Sequence, residues 1–211
     1  MIEGIDHVQA VVWSFDGVLN RLARPDASGL LPWQRALADE GAVDVRALGR
    51  AIEARRAALL AGEVDLLDII GTHAGDLADE VLELILETSL DPDPELTRIS
   101  EALAEAGIVQ LLWLETDARR ARWLVQDREW ADRFDANLSA PETGQTLPDT
   151  ALLARFESRL ALAPGEILLI DARSPAVAAA EKRGWKGWEH GPGDARALAT
   201  ALMPLMVRGA V

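Results

Sequence analysis

Short apolar runs alternate with longer segments of helical periodicity along most of the chain. The short runs are aliphatic or β-branched and are bounded by polar residues or glycine, which is the composition of strands buried in a sheet. They cover residues 8–13, 108–114, 136–138, 166–170 and 185–188. Because helical segments separate these runs, we predict a parallel sheet that is joined by right-handed crossovers and covered by helices on both faces.

Capping residues and helical spacing predict the positions of the helices. Those that alternate with the later strands cover residues 94–106, 118–125, 150–160, 175–183 and 194–206. Helical spacing also fills the long connection after the first strand, over residues 32–40, 45–61, 65–71 and 77–90. The sequence therefore predicts an α/β core of residues 1–19 and 91–211, and an all-helical segment of residues 20–90, called here the helical insert.

Composition narrows the class of protein without identifying its function. Hydrophobic residues make up 49% of the 211 residues, enough for a sizeable core, and the absence of cysteine excludes disulfides and thiolate metal sites. No apolar run approaches the ~20 residues of a membrane span, and the acidic start of the chain is unlike a signal peptide. We therefore expect a cytoplasmic protein without a membrane partner. The net charge of -14 also argues against nucleic acid as a partner, because phosphate contacts need a basic patch.

Polar segments follow the strands at the edge where doubly wound sheets bind their ligands. The first strand runs into Ser-Phe-Asp-Gly-Val-Leu-Asn (14–20) and the second into Leu-Glu-Thr-Asp (114–117). A later loop reads Ser-Ala-Pro-Glu-Thr-Gly-Gln-Thr-Leu-Pro-Asp (139–149), and the fourth strand runs into Asp-Ala-Arg-Ser-Pro (171–175). In this order and spacing, the segments resemble the haloacid dehalogenase (HAD) superfamily, in the subgroup that has a helical cap inserted after the first motif.

The resemblance spans nearly the whole chain and implies an α/β fold: a Rossmann-like, doubly wound parallel sheet with the helical insert as its cap. The residues that agree with the family pattern are those at 15–19, Phe134, Asp135, Ser139, Glu142, Gly144, Pro148, Asp149, Asp171, Ala179, Ala180 and Gly184.

The resemblance also implies which positions carry the family's chemistry. Its hydrolases use one aspartate as nucleophile and another, two residues later, as general acid and base. A hydroxyl, a lysine and, in phosphatases, Mg²⁺ hold the phosphoryl group. In this chain the nucleophile position is Ser14, the acid/base position is Asp16, and the hydroxyl position is Glu115, or Thr116 if the strand is one residue longer. The lysine position is Leu147, the metal-binding pair is Asp171 and Ala172, and the polar position four residues further on is Ala176.

Among the positions that carry the chemistry, only Asp16 and Asp171 keep the side chains that the resemblance implies. Loss of two carboxylates leaves few of the hard oxygen ligands that Mg²⁺ needs, and Leu147 removes the cation that holds the phosphate. A carboxylate at Glu115 repels a phosphoryl oxygen ~4 Å away by roughly 1–4 kcal/mol. The metal-free dehalogenases of the family also need the first aspartate, and none of the three histidines lies at a motif position that would activate Ser14. We therefore expect no cofactor, with Mg²⁺ implied only for an active hydrolase.

Three features of the sequence each have two interpretations. Asp16 and Asp171 are either turn-forming residues or keep a role at the site. Arg173 either lies beside the vacated metal position, where it bridges these carboxylates and Glu115, or points to solvent. The arginine-rich segment 118–122 is either a solvated helix face, which we favour, or meets an anion at the cleft.

The leading hypothesis is a catalytically inactive HAD-like protein, not an enzyme, that acts as a binding, regulatory or scaffold module for an unidentified protein or small-molecule ligand. The alternative is a HAD-family hydrolase with weak or altered activity on a small phosphorylated substrate. A third hypothesis is a structural role through self-association as a homo-oligomer.

Overall fold

A five-stranded parallel sheet forms the centre of the computed structural model, which describes residues 2–38, 41–126, 128 and 130–207. The strands are β1 (Ala10–Ser14), β2 (Val109–Leu114), β3 (Ala136–Ser139), β4 (Ile167–Asp171) and β5 (Lys186–Glu189). They lie in the order β3-β2-β1-β4-β5, and every pairing between them is parallel. The predicted doubly wound sheet is confirmed, with strand ends that differ by one or two residues from those the sequence predicts.

The helices come in two groups. Between β1 and β2, the helical insert contributes α1 (Pro32–Ala38), α2 (Val45–Ala54), α3 (Arg56–Leu60), α4 (Leu66–Ala74) and α5 (Ala78–Thr88). The core contributes α6 (Pro94–Glu105), α7 (Ala118–Gln126), α8 (Ala140–Thr143), α9 (Thr150–Leu160), α10 (Ser174–Lys182) and α11 (Ala195–Met206). None of the helices in the described part of the chain combines the length and the apolarity that a membrane span requires.

The single helix predicted over residues 45–61 is wrong. The helix breaks at Arg55, whose backbone (φ -106°, ψ 8°) leaves the helical region, and α3 starts at the next residue. Beyond the break, Leu59 of α3 packs in the hydrophobic cluster of the insert, whereas Leu60 packs against the core. The short helix α8 was not predicted, and the predicted end of the first helix at Glu40 lies outside the described residues.

Two hydrophobic clusters cover the two faces of the sheet, as the alternation of side chains along a strand requires. On β1, Val11 and Trp13 point into a cluster shared with α6 and α11, whereas Val12 points into a cluster shared with α9 and α10. The buried indole of Trp13 donates to the side chain of Gln110 over 2.8 Å, which satisfies its one polar atom. A third cluster lies within the insert and joins α1, α2, α4 and α5.

Asn20 joins the two connections between the core and the helical insert. Its side chain is buried, accepts from the backbone N–H of Asp91 over 2.7 Å, and donates to the backbone oxygen of Ser89 over 3.0 Å. The chain therefore enters and leaves the insert at a single hydrogen-bonded point beside β1.

Helix α7 anchors the insert to the core. Arg119 pairs with Asp65 through two hydrogen bonds of 2.5 and 2.8 Å, and Arg128, just beyond the helix, pairs with Glu87. Between them, Trp123 packs against both the core cluster and the insert cluster. One helix of the core thus holds the insert over the carboxyl ends of the strands.

We expect Asp65→Asn to lower the free energy of unfolding by less than about 1 kcal/mol at pH 7, because the pair with Arg119 is partly exposed. The hydrogen bond from Arg119 lowers the pKa of Asp65, while partial burial opposes it. When the pKa of a carboxyl group is lower in the folded state than in the unfolded state, its charged form stabilises the fold at pH values above the unfolded-state pKa. This stabilisation is lost as the pH falls through the folded-state pKa. The difference between the variant and the natural chain should therefore shrink below about pH 4 in urea titrations.

A matched control is Asp44→Asn, because Asp44 also caps a helix, α2, and has no ion pair among the described residues. Asparagine keeps a helix cap in both variants. Equal unfolding free energies for the two variants at pH 7 would show that the pair with Arg119 contributes nothing.

Candidate active site

The carboxyl ends of three neighbouring strands form the floor of a cleft between the core and the helical insert. Ser14 ends β1, Asp171 ends β4, and Glu115 directly follows β2. Helices α2 and α3 of the insert form the opposite wall, and the enclosed volume is about 310 Å³. This is the edge at which doubly wound sheets bind ligands.

A larger depression of about 840 Å³ lies at the opposite edge of the sheet. It is a shallow surface lined by residues that precede the strands, among them Gln9, Ile108 and Glu166. The motif residues singled out from the sequence do not line it, so the smaller cleft is the candidate site.

Arg173 binds two of the carboxylates at the cleft floor. Its guanidinium donates from Nε and Nη2 to Asp171, each over 3.0 Å, and from Nη1 and Nη2 to Glu115 over 2.5 and 3.0 Å. Its backbone N–H also donates to Asp171 over 2.8 Å. Of the two interpretations of Arg173, the structure shows the ion-paired one, for Asp171 and Glu115 but not for Asp16.

The two partners of this ion pair differ in burial. The side chain of Asp171 is 1% exposed, whereas that of Arg173 is 43% exposed at the cleft surface. Burial alone lowers the pKa of the Arg173 guanidinium, but the hydrogen bonds that it donates to Asp171 and Glu115 outweigh burial and hold that pKa above its ordinary value. Arg173 is therefore a permanent cation beside Asp171, one of the two residues to which the resemblance assigns metal binding.

Ser14 belongs to the same network. Its buried hydroxyl donates to Oδ2 of Asp171 over 2.5 Å. Together with the backbone and side chain of Arg173, this bond fills the acceptor positions of a carboxylate that has almost no contact with solvent.

Glu115 is held from the other side by the core. It accepts from the indole N–H of Trp113 over 3.3 Å and from the backbone N–H of Leu147 over 3.2 Å. The side chain of Leu147, by contrast, packs in the core cluster beneath α9 and does not line the cleft. The position to which the resemblance assigns the lysine is therefore occupied by a buried core residue, and the chain's two lysines, Lys182 and Lys186, do not line the cleft either.

Arg120 binds the third carboxylate. Its Nη2 donates to Oδ1 of Asp16 over 2.8 Å, and its Nη1 donates to Oδ2. Nε of Arg120 donates to the hydroxyl of Ser89 over 2.8 Å, and the guanidinium lies 5.6 Å from the ring centre of Phe15. Asn20 adds a further hydrogen bond to Asp16 over 2.9 Å. Asp16 is thus held by two side chains from different parts of the fold.

The favoured interpretation of segment 118–122 as a solvated helix face is wrong for Arg120, which is buried, and for Arg119, which pairs with Asp65. A signal for Arg120 was present in the sequence. It lies four residues before Leu124, on the apolar face of α7, and an arginine on a buried helix face requires an acidic partner. The role of Asn20 had no such signal, because it depends on where two distant connections meet.

The remaining positions considered from the sequence divide between the cleft and the core. Thr116 is buried and its hydroxyl lies 3.3 Å from Nη1 of Arg120, so both candidates for the second motif contact an arginine. Ala172 lines the cleft, and Ala176 is buried in a core cluster. His7, His73 and His190 do not line the cleft.

The HAD resemblance implies Mg²⁺, so the donor set was compared with the needs of that ion. Mg²⁺ requires near-octahedral oxygen ligands, chiefly from carboxylates and water. Here Asp16 and Asp171 each accept hydrogen bonds from an arginine, which also supplies the positive charge that the ion would bring. Among the described residues, no three carboxylate or imidazole side chains are gathered as a metal-binding group. The residues present do not fit the ion.

By sequence, the chain matches no protein-family model and no curated protein. Its structure resembles a HAD family enzyme from Bacteroides thetaiotaomicron in complex with magnesium and inorganic phosphate, with 14% identity over 88% of this chain and 96% of that chain and a TM-score of 0.67. It also resembles a predicted HAD-like family hydrolase from Porphyromonas gingivalis, with 17% identity, 93% and 98% coverage and a TM-score of 0.65.

A third solved structure is L-2-haloacid dehalogenase from Xanthobacter autotrophicus with chloropropionic acid covalently bound, at 19% identity, 96% and 87% coverage and a TM-score of 0.60. At such identities the likeness establishes the fold alone. The chain has the HAD-like α/β fold that the sequence resemblance implies.

Proposed function

We propose that this protein is a HAD-like binding or regulatory module that has lost the phosphohydrolase and dehalogenase chemistry of its fold. One observation carries the proposal: both retained aspartates form ion pairs with arginines of the same chain, Asp16 with Arg120 and Asp171 with Arg173. A general acid or a metal ligand must be free to exchange its proton or bind the ion. Neither carboxylate is free in this arrangement.

Ser14 does not replace the missing nucleophile. A serine needs an adjacent base to accept its proton. The partner of Ser14 is Asp171, which already accepts three hydrogen bonds from the side chain and backbone of Arg173. The arrangement supports a structural role for Ser14, in which it satisfies a buried carboxylate.

The alternative, a weak hydrolase of a small phosphorylated substrate, has in its favour only the fold and the retention of these two aspartates. A cytoplasmic location and an unidentified protein or small-molecule partner stay predictions of the sequence.

We expect no Mg²⁺-dependent turnover of p-nitrophenyl phosphate above that of a Ser14→Ala control, because the nucleophile, the lysine and one aspartate of the metal-binding pair are replaced together. Millimolar Mg²⁺ should also leave the melting temperature unchanged, since a ligand stabilises only a fold that binds it. Turnover abolished by Ser14→Ala, or a Mg²⁺-dependent rise in melting temperature, would restore the hydrolase alternative.

A further inference from the structure

We infer that the cleft takes a small, uncharged, largely apolar molecule rather than an anion. This inference rests on the proposed function, because it concerns what the cleft binds once the phosphoryl chemistry is lost.

The groups that would bind an anion are already used by the protein. Arg120 and Arg173 each form ion pairs with carboxylates of the core. The N-terminus of α7 directly follows the cleft-lining residue Asp117, whose carboxylate caps it by accepting from the N–H groups of Arg119 and Arg120 over 3.0 and 3.1 Å. The positive end of the helix is therefore neutralised as well.

The charges that line the cleft also disfavour an anion. Its described lining contains four carboxylates, those of Asp16, Glu53, Glu115 and Asp117, against three guanidinium groups. The third guanidinium, that of Arg56, belongs to the exposed mouth and lies 3.9 Å from Glu53. An anion in the cleft is therefore repelled by a net negative charge. A cation at the floor is repelled by the exposed guanidinium of Arg173.

Apart from the hydroxyls of Ser14 and Thr116, the uncharged part of the lining is apolar. The insert contributes Leu22, Ile52, Leu59 and Leu60, and the floor contributes Ala172 where the family pattern has a carboxylate. With about 310 Å³ of volume, the cleft is at the small end of the range for small-molecule sites. A single aromatic ring with a short substituent matches this volume and this lining.

The test compares three molecules that share a phenyl ring and differ in charge: benzyl alcohol, benzoate and phenyl phosphate. Each is titrated into ¹⁵N-labelled protein and followed by the shifts of backbone amide signals. We expect benzyl alcohol to bind with a Kd on the order of 1 mM, with shifts at the cleft, and both anions to bind at least about tenfold more weakly.

Paired variants locate the binding. Leu22, 62% exposed at the cleft, becomes charged in Leu22→Glu, which should weaken benzyl alcohol binding about fivefold or more. Met203, 56% exposed on α11 and outside the cleft lining, gives the matched control Met203→Glu, which should leave binding unchanged. Both positions are exposed, so both variants should fold.

Equal or tighter binding of phenyl phosphate, no saturable binding of benzyl alcohol, or equal loss of binding in the two variants would each overturn the inference. These results are distinguishable from failure of the proposed function. Phenyl phosphate that binds without being hydrolysed contradicts the apolar cleft alone, whereas its hydrolysis contradicts the loss of activity.

Discussion

Arg173→Met is expected to lower the free energy of unfolding by about 3 kcal/mol, the lower end of the range for breaking a buried ion pair, because Arg173 itself is partly exposed. The variant leaves the carboxylate of Asp171, which is 1% exposed, with only Ser14 and a backbone N–H as partners. It also leaves Glu115 beside it without a cation. In a chain of this length the change corresponds to a fall in melting temperature of about 6–12 °C.

The control is Arg183→Met. Arg183 makes an equally short pair with Glu157, over 2.5 and 2.7 Å, but both side chains are partly exposed, and we expect a loss of less than about 1 kcal/mol. Adding Asp171→Asn to Arg173→Met should recover part of the loss, because the buried charge is then removed with its partner. Equal losses for the two methionine variants would contradict a special role for the cluster at the cleft floor.

The strands were predictable because each one is an apolar run between polar or glycine residues, and such runs have few alternatives in a chain that alternates strands with helices. Asp16 and Asp171 could be placed near one another for the same reason, since the carboxyl ends of parallel strands share an edge. The ion pair of Arg173 with Asp171 was also accessible, because only two residues separate them.

Side-chain direction was harder to predict than position. Leu147 falls at the lysine position by spacing, yet its side chain points into the core while its backbone N–H meets Glu115. Arg119 and Arg120 are consecutive, but successive residues of a helix point about 100° apart. One therefore pairs with Asp65 of the insert and the other with Asp16 of the core. No glycine or proline marks the break at Arg55 in the sequence. The break accompanies the packing of α3 against the core, which the local sequence pattern does not reveal.

The two arginines explain how the fold tolerates the carboxylates at the cleft floor. Carboxylates that converge on one point repel each other unless a cation lies between them. Arg173 and Arg120 supply that charge from the chain itself, in fixed positions and at any physiological pH. The carboxylates at the cleft floor therefore need no bound cation. Introducing further carboxylates alone should not create a metal-binding site.

The last prediction follows from this compensation. A triple variant combines Ser14→Asp and Ala172→Asp, which return acidic ligands, with Glu115→Ser, which returns a hydroxyl. We expect no gain in its melting temperature with Mg²⁺, because Arg173 still holds Asp171. Adding Arg173→Ala to this variant should create a site that is less stable without metal. Millimolar Mg²⁺ should then raise its melting temperature by about 3–5 °C, which corresponds to about 1.4 kcal/mol at ten times a Kd on the order of 1 mM.

Metal binding is the proper readout for these variants, because Arg120 still holds Asp16 and Leu147 still lacks a charge, so turnover is not expected to return. Circular dichroism checks that both variants fold, and the same titration on Arg173→Ala alone controls for binding elsewhere. A Mg²⁺-dependent gain of similar size in the triple variant with Arg173 intact would show that the missing carboxylates, and not the arginine, keep the metal out. A gain that appears only when Arg173 is removed would identify that side chain as the substitute for the ion.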